Sequence, residues 1–521
     1  MTDTRPHALM GLFTRVEALA NKLPHPFTLF SLFGLGTIAL SFLLSKIGVS
    51  ATYVTGHHPL GGTPFTKTVH VVNLFSQSEM RQFLADFVKI YVEFPPLGIT
   101  VVILIGVGII EKTGLVSALL RKTLLGAPPY LITAALAFVG INANVASTAG
   151  VILVTSIGAA LFRAVGRDPW VGVVVGYAAA SGGFAANLLV SGTDALLAGI
   201  TSSATSGMQV KAPVHTVMNW YFMVAATFVV TLVITLVTEL VVVKALRSDK
   251  RILPAAEQAS HQLMPEELRG LRWAAIAALL VLSGILIAII PENGLLRHPS
   301  GRVLPDSGLI VGIVPILFSF FFIVGVAFGI GAGRIRSASE VPKLIEDGLR
   351  GALGFMAVAL PAALFLYLFG RSEMATILAI KGAGLLVRFK LTGLPLILLF
   401  VLLVAAINLV LPSGATKWLI LAPVAVPMFA LVGLSPAATQ LSFRVGDSAT
   451  NTISPIKSYL PVLIGIFEQY RHADDRPAGL GTVIAYELPY SMALLVSLGL
   501  LLSLWYLFGL PPGPGVTMTM P

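Results

Sequence analysis

Two stretches of this sequence decide its fold: GAPPYLITAALAFVGINANVASTAGVILVTSIGAALFRAVGRDP at 126–169 and GLPLILLFVLLVAAINLVLPSGATKWLILAPVAVPMFALVGLSP at 393–436. Each is an apolar run that breaks in the middle at small polar residues, INANVASTAG at 141–150 and INLVLPSGAT at 407–416. The arms beside each break hold about 14–18 residues, fewer than the ~20 that a helix needs to cross a bilayer. The pattern favours two re-entrant hairpins, although a full crossing by each arm fits the charge distribution equally well.

The two stretches share their glycine and proline punctuation. The motif G-x-P at 126–128 recurs at 393–395, and G-x-x-P at 166–169 recurs at 433–436, both at the same offset along the chain. Five predicted spans lie between the hairpins, and an odd number of crossings inverts the second unit relative to the first. Inverted repeats with broken helices are typical of alternating-access transporters, which bind substrate near the bilayer midplane.

The composition is that of a membrane protein. Of 521 residues, 56% are hydrophobic and only 11% are charged, with a mean hydropathy of +0.89; a soluble domain carries about 25% charged residues. The sequence contains no cysteine, which excludes disulfides and cysteine-based metal or redox chemistry. We predict an all-α polytopic membrane protein with about nine transmembrane helices plus two re-entrant hairpins. The predicted spans lie near 27–49, 86–111, 168–190, 214–243, 269–290, 308–330, 350–370, 436–456 and 483–509.

The loop charges orient this topology. The segments on one side hold 20 Lys and Arg residues and those on the other side hold 9. By the positive-inside rule, the N-terminus is cytoplasmic and the C-terminus extracytoplasmic in the cell (inner) membrane. The first run lacks a small-x-small cleavage site, so we interpret it as an uncleaved span. We divide the chain into scaffold spans at 1–125 and 202–392, a transport core at 126–201 and 393–469, and a last span with its tail at 470–521.

Ionisable residues fall where the helix after each hairpin is interrupted. The predicted interruptions are NLLVSGTDALLAG at 187–199 and RVGDSATNTISPIKSY at 444–459, and they contain Asp194, Arg444 and Asp447. A charge at a helix centre costs about 2.5–3.5 kcal/mol on insertion scales, so it needs a partner or a function. Arg444 and Asp447 could neutralise one another at i, i+3, or Arg444 could clamp a substrate carboxylate. Asp194 could carry a proton, ligate an ion or cap a helix.

The polar residues of the hairpin tips are further candidates. Asn, Ser and Thr there either cap the arm helices or bind substrate and a small cation through their oxygens. The ion-coupling candidates are Asn142, Asn144, Ser147, Thr148, Asn408, Asp194 and Asp447, with Na⁺ as the possible metal. Trp418 could stack on a substrate ring or anchor at the interface. Lys417 beside it could snorkel or meet substrate.

The second hairpin and the helix after it identify a family. PSGATKWLILAPVAVPM at 412–428 and GLSPAATQLSFRVGDSATNTISP at 433–455 resemble the aminobenzoyl-glutamate transporter (AbgT) family, as do segments along the whole chain. The resemblance implies a homodimer with nine spans and two hairpins per subunit. It implies that the substrate is p-aminobenzoyl-glutamate or a related aminobenzene compound such as a sulfonamide. Some members of the family resemble importers, and others resemble drug exporters. The implied site residues are Asp194, Trp418, Pro436, Arg444 and Asp447, to which we add Ser413 and Asn451.

The first hairpin tip departs from the family pattern. Thr148 stands where an acidic residue is expected, and Val145 replaces a more polar one. The coupling ion, Na⁺ or H⁺, therefore stays open, and no other cofactor is expected.

The leading hypothesis is an ion-coupled transporter of an aromatic anion. The alternative is a sodium-coupled di- or tricarboxylate transporter, which would share the hairpins and the inverted repeat. The sequence has no HExxH or Walker A motif and no paired nucleophile and base, so we do not expect an enzyme. A passive channel is the other rival. The expected partners are the substrate, the lipid bilayer and a second copy of the chain, with no nucleic acid.

Overall fold

The structure is a computed structural model that describes residues 24–55, 65–143, 147–205, 212–246, 263–304, 306–457, 459–471 and 477–520. Its α-helices, in chain order, are α1 (Pro26–Ile47), α2 (Gln77–Val92), α3 (Pro95–Lys112), α4 (Leu115–Leu125), α5 (Ile132–Asn142), α6 (Ser147–Ala164), α7 (Pro169–Gly182), α8 (Gly192–Thr205), α9 (Trp220–Val237, continuing through a π-helical turn to Ala245), α10 (Pro265–Ile289), α11 (Gly308–Val311), α12 (Ile313–Gly331), α13 (Glu340–Leu349), α14 (Leu353–Arg371), α15 (Met374–Arg388), α16 (Gly393–Asn408), α17 (Gly414–Ala430), α18 (Pro436–Thr450), α19 (Leu460–Gln469) and α20 (Leu480–Leu507).

The predicted polytopic helical fold is confirmed. Seven helical segments of the described chain are long and apolar enough to cross a membrane: α1, α2 with α3, α9, α10, α12, α14 and α20. They coincide with seven of the nine predicted spans. The other two, near 168–190 and 436–456, contain the short helices α7 and α18, and a second short helix follows each of them, α8 and α19. None of these four helices alone reaches the ~20 residues of a full crossing.

Both predicted hairpins form pairs of short helices. The first consists of α5 and α6, with 11 and 18 residues, and the second of α16 and α17, with 16 and 17. The helix before each hairpin meets the first arm at a sharp bend, of 115° for α4 and 117° for α15. The two units thus enter their hairpins in the same way.

The internal repeat extends to the helix boundaries. The offset that relates the glycine and proline motifs also carries the start of α6 onto the start of α17, and Pro169 of α7 onto Pro436 of α18. The 3₁₀ turns that follow, Gly183–Ala185 and Asn451–Ile453, correspond to within one position. Proline explains the shared boundary, because its fixed φ and missing N–H suit the first turn of a helix.

The interruptions are shorter than the sequence predicted. The first break ends at Ser191, and α8 is helical from Gly192 onward, so Asp194 lies in a first helical turn. In the second repeat α18 stays helical through Thr450, which places Arg444 and Asp447 inside a regular helix. These two corrections share a cause: buried tertiary partners stabilise small polar residues in a helix that their propensities alone do not favour.

The described residues also include two strands, so the fold is not purely helical. β1 (Ser50–Thr55) pairs antiparallel with β2 (Phe65–His70), with Ser50 opposite His70 and Thr55 opposite Phe65. The ribbon joins α1 to α2, and the buried side chains of Ala51 and Val69 form a small apolar cluster with α15. β-branched residues such as Thr52 and Val69 suit a pleated surface, a signal that the hydropathy analysis did not weigh.

Long-range ion pairs link loops that the charge count assigned to one side. Arg121 and Arg334 both contact Glu267, at 2.7 and 3.6 Å. All three residues lie in segments that the charge count places on the cytoplasmic side. Arg371 contacts Glu79 at 2.7 Å, and both lie in segments assigned outside. The pairing agrees with the grouping of the loops.

Close helix packing in the first repeat depends on glycine. A Cβ atom on Gly172 of α7 would overlap the carbonyl oxygen of Gly158 on α6 and lie 2.9 Å from the Ala159 nitrogen. Small residues at such crossings let two membrane helices approach backbone to backbone. The second arm of the first hairpin, α6, is thereby held against α7.

We expect Gly172→Ala to destabilise the protein by about 1–3 kcal/mol, the usual cost of overpacking. Thermal denaturation in detergent measures this loss. Gly36→Ala in α1 is the matched control, because no atom lies within 4 Å of its added Cβ. A Gly172→Ala protein as stable as the Gly36→Ala protein would contradict the close packing.

Candidate functional site

The central helix of the second repeat is buried along its whole length. Every residue of α18, Pro436–Thr450, is buried, although the helix contains Gln440, Arg444 and Asp447. Ser435 caps its N-terminus by accepting a hydrogen bond from the Ala438 N–H at 3.1 Å. A buried polar helix in a membrane protein faces partners rather than lipid, and its ionisable groups are candidates for function.

Arg444 forms an ion pair across the two repeats. Its Nη1 lies 2.5 Å from Oδ1 of Asp194, and the two side chains are 3% and 4% exposed. Its Nη2 donates to the Phe184 carbonyl oxygen at 2.7 Å, and its Nε has no hydrogen-bond partner among the described residues. Of the two alternatives considered for Arg444, neutralisation by Asp447 is excluded, because a partner distant in sequence, Asp194, takes that place.

Asp194 fills one of the roles considered from the sequence, that of a helix cap, and one that was not considered, that of the partner of Arg444. Its Oδ2 accepts hydrogen bonds from the N–H and the hydroxyl of Ser191, at 2.6 and 2.8 Å, at the N-terminus of α8. Its Oδ1 accepts the bond from Arg444. The carboxylate thus caps a broken helix, where the helix dipole favours a negative charge, and fixes Arg444 at the same time.

Asp447 is paired with a lysine of the second hairpin. The ammonium group of Lys417, which is fully buried, contacts Oδ1 of Asp447 and Oδ1 of Asn408. Asn408 in turn donates to the Asp447 carbonyl oxygen at 2.9 Å and to Oδ1 of Asn451 at 3.0 Å. Lys417 therefore does not snorkel to the interface; it supplies the positive charge that Asp447 requires.

A second ammonium group completes this cluster. Nζ of Lys457 lies 2.7 Å from Oδ1 of Asn451 and 2.9 Å from the Pro412 carbonyl oxygen. The described site thus holds three cationic side chains and two carboxylates, a formal excess of one positive charge. That excess favours an anionic ligand.

The predicted sodium ligands of the second repeat do not fit a sodium ion. Hard cations prefer carboxylate and carbonyl oxygens, but Oδ1 of Asn408 and Oδ1 of Asp447 both contact the Lys417 ammonium group, and Oδ2 of Asp447 accepts a bond from Nδ2 of Asn451. A metal ion on these oxygens would meet the Lys417 ammonium group, and like charges repel strongly in a low-dielectric interior. These oxygens accept hydrogen bonds from an ammonium group instead.

A cavity of about 200 Å³ lies where the two repeats meet. Its lining includes Ser181, Phe184, Asn187 and Ser191 from the first repeat and Arg444, Asn451, Lys457 and Tyr459 from the second. It therefore offers two cationic groups, several hydroxyl and amide groups and two aromatic rings. Such a mixture of apolar surface and few convergent polar groups is typical of small-molecule sites.

The remaining predicted residues have different positions. Ser413 caps α17 by accepting from the Thr416 N–H at 3.3 Å, and Pro436 occupies the first turn of α18. Asn142 accepts from the Leu188 N–H at 3.0 Å and so connects the first hairpin to the first break. Asn144 lies outside the described residues, and the side chains of Ser147 and Thr148 are not among those described.

Trp418 is buried away from both the cavity and the membrane interface. Its ring packs on Phe443 with centroids 4.6 Å apart, and its indole N–H donates to the Thr201 hydroxyl at 2.9 Å. It is fully buried, which rules out interfacial anchoring in this conformation. Trp418 connects the second hairpin to α8 and α18, and it can reach a substrate only after these helices move.

Sequence reasoning missed two ionisable residues. Lys457 lies inside the second predicted interruption, and its position just after Pro455 in a polar break is the signal that could have identified it. Glu487 is the only charged residue of α20, and a lone acid in an apolar span of 28 residues is a signal that could have found it.

Comparisons with known proteins place this architecture. A sequence model described as "AbgT putative transporter family" matches residues 11–520. The p-aminobenzoyl-glutamate transport protein of Escherichia coli (strain K12) is 34% identical over 511 residues, covering 97% of this chain and 96% of that protein. The crystal structure of the YdaH transporter of Alcanivorax borkumensis aligns with a TM-score of 0.86 at 33% identity, covering 94% of this chain and all of the other. The structure of MtrF of Neisseria gonorrhoeae, described as illuminating a class of antimetabolite efflux pumps, aligns with a TM-score of 0.89 at 33% identity, covering 97% of this chain and all of the other.

Proposed function

We propose that this chain, which belongs to the AbgT transporter family, moves p-aminobenzoyl-glutamate or a related aminobenzene or sulfonamide anion across the cell membrane by ion-coupled secondary transport. Membership of the family supports transport rather than catalysis. The similarity to the p-aminobenzoyl-glutamate transport protein and to MtrF supports the class of substrate.

The observation that carries the proposal is the charge of the cavity between the repeats. Arg444 and Lys457 both line it, and the Arg444 Nε–H has no partner among the described residues. A guanidinium group already fixed by Asp194 loses little entropy when it binds a carboxylate. Phe184 and Tyr459 add aromatic faces to the same lining. A ligand with a carboxylate and an aromatic ring would match both the cationic groups and the aromatic side chains of this lining.

The same lining weighs against the rival di- or tricarboxylate. Such a ligand has no apolar part to place against Phe184 and Tyr459.

The cavity is smaller than a whole substrate requires. Sites for drug-sized ligands usually have volumes of about 300–1,000 Å³, more than the 200 Å³ present here. We propose that the broken helices move apart to admit the whole substrate, in keeping with alternating access at an inverted repeat.

We propose that the coupling ion is the proton. The Lys417 ammonium group contacts the oxygens of Asn408 and Asp447 that a sodium ion would need in the second repeat. We also propose that the chain works as a homodimer in the inner membrane, with a cytoplasmic N-terminus and an extracytoplasmic C-terminus. The transport core is assigned to 126–201 and 393–469, with scaffold spans at 1–125 and 202–392 and the last span at 470–521.

The test is accumulation of labelled p-aminobenzoyl-glutamate in proteoliposomes, with proton and sodium gradients imposed separately. We expect accumulation with the proton gradient and none with the sodium gradient, because no sodium site fits beside Lys417 among the described residues. Excess unlabelled p-aminobenzoyl-glutamate should compete and succinate should not.

Each contrary result would contradict a different part of the proposal. Accumulation driven by sodium alone would refute the proton assignment, and full competition by succinate would favour the dicarboxylate carrier. Equal fluxes in liposomes with and without the protein, with no exchange of labelled for unlabelled substrate, would refute the function itself.

A further inference from the structure

One buried acid takes no part in the ion pairs described above. Glu487 lies in α20, is 1% exposed, and neither carboxyl oxygen has a hydrogen-bond partner among the described residues. An ionised carboxylate is costly in an apolar interior unless it is paired and hydrogen-bonded. The group is therefore held as the neutral acid in this conformation, and intramembrane acids of this kind are often parts of proton pathways.

Two tyrosines interact with Glu487, and one of them lines the cavity. Tyr177 of α7 and Tyr459 both interact electrostatically with Glu487, and their ring centroids are 5.9 Å apart. Tyr459 lines the cavity and its hydroxyl lies 3.4 Å from Oγ of Ser181. Tyr177 and Tyr459, together called the phenol layer here, thus connect the surroundings of Glu487 with the cavity that Arg444 lines.

No described basic group neutralises this acid. A third tyrosine, Tyr490, lies about one turn along α20 and bonds to the Thr238 hydroxyl at 2.7 Å. Glu239, a carboxylate that follows α9 in its π-helical turn, is paired with Arg167 at 2.8 Å. The lysines of the site are engaged with Asp447 and the asparagines.

We infer that Glu487 is the proton-carrying site of this transporter, reached from the cavity through the hydroxyl groups of Tyr459 and Tyr177. This inference rests on the proposed ion-coupled transport and names the residue that would carry the ion. The carboxyl group holds its proton while the phenol layer is closed. When the broken helices move and water reaches the phenol layer, the carboxyl group of Glu487 releases that proton and becomes a carboxylate. Rebinding one proton restores the acid.

The experiment uses the full chain in proteoliposomes that contain a pH-sensitive dye. Exchange of labelled for unlabelled p-aminobenzoyl-glutamate without a pH gradient reports transport alone. The dye reports proton movement driven by a substrate gradient. We expect both signals from the wild type. Glu487→Gln should continue exchange, since an amide resembles the neutral acid, while its dye signal falls to that of empty liposomes.

Two further variants complete the test. Glu487→Asp keeps an acid and should keep a dye signal. Glu266→Gln removes an exposed carboxylate at the start of α10 and should behave as the wild type. A Glu487→Gln protein with an undiminished dye signal would overturn the inference. A wild type that exchanges substrate without moving protons would overturn it too, whereas a wild type without exchange would overturn the proposed function instead.

Infrared spectroscopy covers the case in which Glu487→Gln does not fold. The wild type at neutral pH should show the carbonyl band of a protonated carboxylic acid, and Glu487→Asp should shift that band. Absence of such a band in the wild type would mean that Glu487 is ionised, which would also overturn the inference.

Discussion

Arg444→Ala should abolish transport of p-aminobenzoyl-glutamate. The substitution removes the guanidinium group that lines the cavity and leaves the carboxylate of Asp194 buried without its charged partner. Removing one member of a buried pair costs about 3–5 kcal/mol, equivalent to roughly two to four orders of magnitude in an equilibrium constant. Exchange in proteoliposomes measures the transport loss, and thermal denaturation measures the stability loss.

Two companion variants separate binding from folding. Arg444→Ala combined with Asp194→Asn removes both charges, so stability should recover in part while transport stays absent. Arg444→Lys keeps the charge but loses the planar fork that bonds Asp194 and the Phe184 carbonyl together, so weak transport should remain. Near-normal uptake by Arg444→Ala would refute the role of this residue as a substrate clamp.

Asp447→Asn should destabilise the protein more than any substitution of an exposed charge. Among the described residues, Asp447 is the only carboxylate that contacts the Lys417 ammonium group, and the two side chains are 2% and 0% exposed. Its loss leaves an uncompensated buried charge, at a cost of about 3–5 kcal/mol. Lys457 lies beside the same cluster through Asn451 and adds to the repulsion. Thermal unfolding in detergent is the measurement.

The double variant Asp447→Asn with Lys417→Met should regain much of this stability, because it removes the pair as a unit. Lys381→Met, at an exposed position of α15, is the control and should unfold at the wild-type temperature. A double variant as unstable as Asp447→Asn alone would show that Asp447 acts through some partner other than Lys417.

Much of the architecture could be predicted because it depends on local signals. Proline and glycine mark the boundaries of α7 and α18, and hydropathy marks the seven long spans. The strands β1 and β2 were missed because a short ribbon of mixed polarity in a loop leaves no hydropathy signal. The breaks were drawn too long because a helix such as α18 is stabilised by what surrounds it.

The pairing of charges could not be predicted in the same way. Sequence spacing offered Asp447 as one possible partner of Arg444, since it reports only neighbours one turn apart. The actual partners, Asp194 for Arg444 and Lys417 for Asp447, meet because of the packing of the two repeats and of the second hairpin. The sequence singles out Arg444, Asp447 and Asp194 as candidates, but their connections depend on the tertiary structure.

The repeat is symmetric in its backbone but not in its charges. When Pro169 is aligned with Pro436, the counterpart of Arg444 is Tyr177 and that of Asp447 is Ala180. Exchanging the conformations of the two repeats would turn an outward opening into an inward one, yet every cation of the site would stay with the second repeat. The two end states therefore have no symmetry that makes them equal in energy. An unequal resting population of the two end states follows from how the two repeats have diverged.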